Sequence, residues 1–165
     1  MKKKLVLFLV LAAIAVGSIS AQSNVKNWIS GEVSLFGGGA RYERMLTPKF
    51  SAGADVYWSS FFFIWNELDV GVFGRMYPWE GKFFVELGLG FHTHTALAVF
   101  GGHLEVITGL AISPAAGWRI DFGRPGGFFI TPGIKAPITM GINDYNDKFA
   151  VGIGFVPYFG LGGAF

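Results

Sequence analysis

The side chains that come nearest to chemistry in this 165-residue chain are its three histidines. His92 and His94 sit two apart in one alternating segment, and His103 and Glu105 sit two apart at the start of the next. A register that sets His94 opposite His103 and His92 opposite Glu105 gathers three imidazoles and a carboxylate. Those donors suit Zn²⁺ or a similar ion. The plainer reading is a hydrated polar rim, because His spaced by two on a strand is not specific. A second set is electrostatic. Centring a tight turn on Pro48 puts Asp55 opposite Arg41, and centring another between Glu80 and Gly81 puts Arg75 opposite Glu86. Buried ions are costly unless paired, so these pairs predict an internal ion-pair plug.

Catalytic readings fare poorly. Ser60, Thr93 and Thr95 have no histidine on their own face. Ser113 lies about eight to ten residues along its segment from His103 and Glu105, which at roughly 3.3 Å per residue is beyond hydrogen-bond reach. Gly88-Leu89-Gly90 sits inside a strand pattern with no helix after it, so it is not a phosphate loop. No enzyme activity and no cofactor are expected.

The elements that must position these side chains are strands. Apolar and small or polar residues alternate with period two, broken by turn residues. Eight segments emerge: Val25–Phe36, Gly39–Leu46, Phe50–Phe63, Glu67–Tyr77, Phe83–Thr95, His103–Phe122, Phe128–Gly141 and Lys148–Phe165. Three connections are short and rich in Pro or Gly: Thr47–Lys49, Pro78–Lys82 and Gly123–Gly127. The first hairpin turns at Gly37-Gly38; a bulge there would merge the first two segments and lower the count.

Charge placement divides each segment into two faces. In segments three to eight, Asp55, Glu67, Asp69, Arg75, Glu86, Glu105, Arg119, Asp121, Lys135 and Lys148 all keep to one parity within their own segment. The other parity reads Phe83, Val85, Leu87, Leu89, Phe91 in one strand and Phe50, Ala52, Ala54, Val56, Trp58 in another. A soluble lipocalin-like carrier would bury that apolar face. The charged face is mostly Gly, Ala and Ser, which fits the narrow interior of an eight-stranded barrel better than a solvated surface. Aromatics also crowd the short-turn end at Phe50, Tyr77, Trp79, Phe83, Phe122, Phe128 and Phe165, as in an interfacial girdle. The expected fold is therefore all-β: a closed antiparallel up-and-down transmembrane β-barrel, with the charges in the lumen. In lipid such a sheet must close, since an open edge leaves backbone groups unsatisfied.

Both ends of the chain agree. Lys2-Lys3-Lys4, the apolar run Leu5 to Val16 and the small residues to Ala21 read as a cleaved signal peptide over 1–21, leaving a barrel domain over 22–165. The apolar run is too short for a membrane-spanning helix. Removal of the three lysines takes the net charge from +2 to slightly negative, so there is no signature of nucleic-acid binding. The absence of Cys excludes disulfide and thiol chemistry.

The closing run Phe149 to Phe165 resembles the last strand of bacterial outer-membrane β-barrels. Asn27-Trp28-Ile29-Ser30, Gly37 through Leu46, Phe50 through Gly53, Arg75-Met76-Tyr77-Pro78 and Lys82 through Gly90 resemble strands of small eight-stranded barrels of the OmpA, OmpX and OmpW type. The resemblance implies a bacterial outer-membrane location. It implies the lipid bilayer as surroundings, and the barrel-assembly machinery and periplasmic chaperones as partners in biogenesis. Phe165 would be the residue that machinery reads. Enzymatic small barrels use a Ser and a His near the membrane face, a set this chain does not match. The function expected is a structural or interaction barrel with a lumen plugged by charged and aromatic side chains. The alternative is a barrel that binds or transports a small molecule or metal ion, using space beside Gly88, Gly90, Gly109, Gly117, Gly133, Gly152 and Gly154. Those glycines could instead make room for Tyr57, Phe73, Phe129 and Tyr158.

Overall fold

The structure, a computed structural model, describes residues 27–61, 65–78, 82–97, 104–122, 127–143 and 148–165. The segment 1–21 expected to be a signal peptide, Trp79 and His103 lie outside the described residues, as do most of the turn at 78–82 and of the turn at 123–127. Eleven strands form one antiparallel sheet: β1 Asn27–Ser34, β2 Gly37–Thr47, β3 Phe50–Phe61, β4 Trp65–Met76, β5 Phe83–Leu97, β6 Leu104–Trp118, β7 Ile120–Asp121, β8 Phe128–Lys135, β9 Ile138–Asn143, β10 Lys148–Ile153 and β11 Val156–Ala164. They make eight staves, because β6 runs on into β7, β8 into β9 and β10 into β11. The ring closes where β11 pairs with β1 and β8 pairs with β6.

The break between β8 and β9 has a local cause. Pro114 and Pro137 stand near each other where β8 gives way to β9, and Ala136 N–H donates to the Pro114 carbonyl at 2.8 Å. Proline cannot donate to a ladder, so the pairing is interrupted there and resumes beyond. The tight turn after β2 is capped by Thr47, whose Oγ1 accepts from the amides of Lys49 (3.3 Å) and Phe50 (3.1 Å).

The first hairpin turns two residues earlier than the glycine run suggested. Val33 pairs with Gly38, and the bend is at Leu35-Phe36. The glycines belong to β2 because the next strand presses on them. A Cβ at Gly37 would lie 2.3 Å from the Trp58 carbonyl oxygen, and one at Gly39 would lie 2.9 Å from the Tyr57 ring. They serve close approach, and the count stays at eight.

The barrel is packed inside out. Buried groups include Glu32, Arg41, Glu43, Arg75, Glu86 and Arg119, while Val56, Trp58, Val70, Val72, Leu87, Leu89, Phe91 and Leu161 are exposed. Alternation produces this: Glu86 is 7% exposed and its neighbour Leu87 57%. At the short-turn end Phe50, Phe122, Phe128 and Phe165 point outward, and Trp118 packs edge-on against Phe83 at 5.3 Å. Tyr77 departs from the expected girdle. It shares the parity of Arg75 and turns inward, only 1% exposed, with its hydroxyl bonded to Glu43 at 2.8 Å.

Candidate functional site

The lumen is layered along the barrel axis. At the short-turn end the Arg119 guanidinium lies 3.4 Å from the Trp28 ring centre and 4.0 Å from that of Phe129, and it pairs with Asp121 at 3.2 Å. Next comes Arg75, held by Glu43 at 2.8 Å and Glu86 at 2.7 Å and lying 3.8 Å over Phe84. Ser51 donates to Glu43 from the neighbouring strand. Above it Arg41 reaches Glu86 (2.9 Å), Asp55 (2.7 Å) and Glu32 (3.2 Å) and stacks on Phe73 at 4.1 Å. Lys135 completes this layer, 3.0 Å from Glu32 and 3.7 Å from Asp55, with its ammonium over the rings of Tyr57 and Tyr158.

Arg41 stands directly opposite Asp55, and Arg75 opposite Glu86, on paired strands. The strand register alone does not display the cross-lumen bonds. Arg41 on β2 meets Glu86 on β5 across the barrel, and Lys135 on β8 meets Glu32 on β1. Glu32, Glu43, Lys135 and Arg119 escaped the sequence-based pairing. Parity was a usable signal for Glu43, which shares the face of Arg41.

Glycines shape the plug where rings need room. A Cβ at Gly53 would sit 2.5 Å from Phe73, at Gly117 2.7 Å from Phe84, at Gly133 2.6 Å from Tyr158 and at Gly162 2.4 Å from Phe129. Gly88 and Gly90 face no ring. They line a cavity of about 110 Å³ above the plug, with Asp55, Glu67, Asp69, Ser113 and Tyr158. Towards the loop end it meets a wider vestibule of about 490 Å³, bounded by Glu67, His92, His94 and the segment Gly152 to Pro157. Among the described residues the lumen is thus filled in its lower part and hollow above.

The histidine register differs from the expected one. His94 pairs with Ile107, His92 with Gly109, and Glu105 with Ala96, so the β5–β6 hairpin does not bring Glu105 to His92. The connection between those strands is too long for a turn rule to fix its centre, and His103 lies outside the described residues. The neighbours of His92 come from the other side, from β4. Its Nδ1 is 2.7 Å from Asp69 Oδ1 and 3.4 Å from Glu67 Oε1, and its ring stacks on His94 with centroids 6.2 Å apart and planes at 17°. Glu32, Glu43, Asp55 and Glu86 are ion-paired with Arg41, Arg75 and Lys135, whereas Glu67 and Asp69, nearer the mouth, take His92.

A small closed antiparallel barrel with an apolar outer wall and an ion-paired lumen is the class that fold and interior define. Among solved structures the chain is similar to the N-terminal β-barrel domain of Pseudomonas aeruginosa OprF, with a TM-score of 0.55 and 11% identity over 86% of this chain and 96% of that one. At that identity the likeness is one of fold, and it agrees with the resemblance carried by the strand motifs. No protein-family model matches the chain, and no curated protein matches it in sequence.

Proposed function

We propose that this protein is an integral barrel of the bacterial outer membrane with a structural or interaction role and no enzymatic one. The observation that carries the reading is the inverted packing: a wall of exposed Val, Leu, Ile and Phe around buried Arg and Glu. In water that wall would be a large apolar patch without a partner. In lipid it is the required outer surface, and strands replace helices as the spanning element. The same packing argues against a lipocalin-like carrier, whose apolar face would point inward. The interlocked Arg41–Glu86–Arg75 layer supports a plugged lumen, since an eight-stranded barrel has little bore to spare. The assembly machinery and periplasmic chaperones are the partners this reading requires, with Phe165 exposed at the end of the closing strand.

Mobility of unboiled against boiled protein from urea-washed outer membranes tests the reading. A faster unboiled band that stays with the membrane pellet is expected. Release into the soluble fraction with no mobility shift would overturn it.

A further inference from the structure

We propose that the mouth of the lumen binds one divalent metal ion of the Mn²⁺-to-Zn²⁺ class through Glu67, Asp69 and His92. One donor atom from each of these residues lies within 4.8 Å of the other two. The 3.4 Å between His92 Nδ1 and Glu67 Oε1 is the spacing of neighbouring donors around a tetrahedral ion, about 3.3–3.5 Å for metal–ligand bonds of ~2.0–2.1 Å. The 2.7 Å between His92 Nδ1 and Asp69 Oδ1 is a hydrogen bond, and it need open by less than ~1 Å to reach the same spacing. A nitrogen and two carboxylates make a mixed donor set that suits these borderline ions better than Ca²⁺ or Mg²⁺.

The site is held in place. Asp69 and His92 are direct partners on paired strands, and Glu67 follows two residues along. His92 is only 4% exposed, and the His94 ring backs it in a near-parallel stack. Lys135 is engaged below, with Glu32 and Asp55, while Glu67 and Asp69 share the imidazole of His92. Coordination needs neutral imidazole and ionised carboxylates, so any proton His92 shares with Asp69 leaves to solvent.

The inference rests on lumen geometry and not on the membrane assignment, so a negative result here leaves that assignment standing. The test is calorimetric titration of ZnCl₂ into the full chain refolded in detergent, after chelator treatment and desalting. One equivalent is expected to bind. His92→Gln and Asp69→Asn should each weaken it at least ~10-fold, the lower end of the loss seen even for outer-shell partners. His94→Ala should stay within about threefold, because that residue supports the site and does not ligate. Should His92→Gln fail to fold, the half-exposed Asp69 still provides a variant, and unboiled gel mobility shows which variants are barrels. Absence of saturable binding, binding that survives Asp69→Asn, or equal loss in His94→Ala would overturn the proposal.

Discussion

Arg41 and Glu86 meet across the lumen through two bonds of 2.9 and 3.0 Å although 45 residues and two intervening strands separate them. Glu86 also takes Arg75 at 2.7 Å, so one carboxylate joins two buried guanidiniums. Breaking a buried pair from one side leaves an uncompensated charge, typically about 3–5 kcal/mol. Glu86→Ala should destabilise the barrel by an amount in that range, read from urea unfolding in micelles. Asp55→Asn should cost clearly less, because Asp55 is partly exposed and Arg41 keeps Glu86 and Glu32. Equal effects would mean that Glu86 is not the hub of the network.

The outer wall gives a second expectation. Leu87 is directed away from the lumen about a third of the way along β5, four residues beyond Phe83 at the short-turn end. A charge on the lipid face at mid-depth costs roughly 2–4 kcal/mol. Leu87→Arg should block membrane assembly, seen as loss of the fast unboiled band, while Leu87→Ile should assemble normally. Normal assembly of the arginine variant would contradict the outward assignment.

Gly133 and Tyr158 form a complementary pair on neighbouring strands. The three atoms nearest a Cβ at Gly133 all belong to the Tyr158 side chain, at 2.6 to 2.8 Å. Gly133→Ala should destabilise by about 1–3 kcal/mol through overpacking. Combining it with Tyr158→Leu should cost less than the sum of the two single changes, a coupling that a double-mutant cycle reads directly. Additive costs would show that the glycine is there for another reason.

Tyr77 supplies the last. Its hydroxyl donates to Glu43, which also holds Arg75. Tyr77→Phe removes a donor from a buried carboxylate and should cost about 1–3 kcal/mol. A membrane-interface tyrosine would tolerate that change, so unaltered unfolding would return Tyr77 to the aromatic girdle.

Sequence alone determined the strands, their faces and two of the ion pairs. Alternation fixes which residues share a side, and a short turn fixes the register of the strands it joins, so Arg41–Asp55 and Arg75–Glu86 could be read directly. The turn centre that pairs Arg75 with Glu86 also pairs Asp69 with His92 and Glu67 with His94. The cluster at the mouth is therefore legible in the β4–β5 hairpin and not in the β5–β6 one, whose long connection carries no register information. Only the tertiary structure decided what happens across the barrel: Arg41 to Glu86, Lys135 to Glu32, and Arg119 between Trp28 and Phe129. Those contacts depend on closure and strand stagger, which set which inward side chains share a level. It also decided that Gly53, Gly117, Gly133 and Gly162 face rings while Gly88 and Gly90 face a cavity. Parity shows that a glycine points inward, but what stands opposite it is a property of the closed ring.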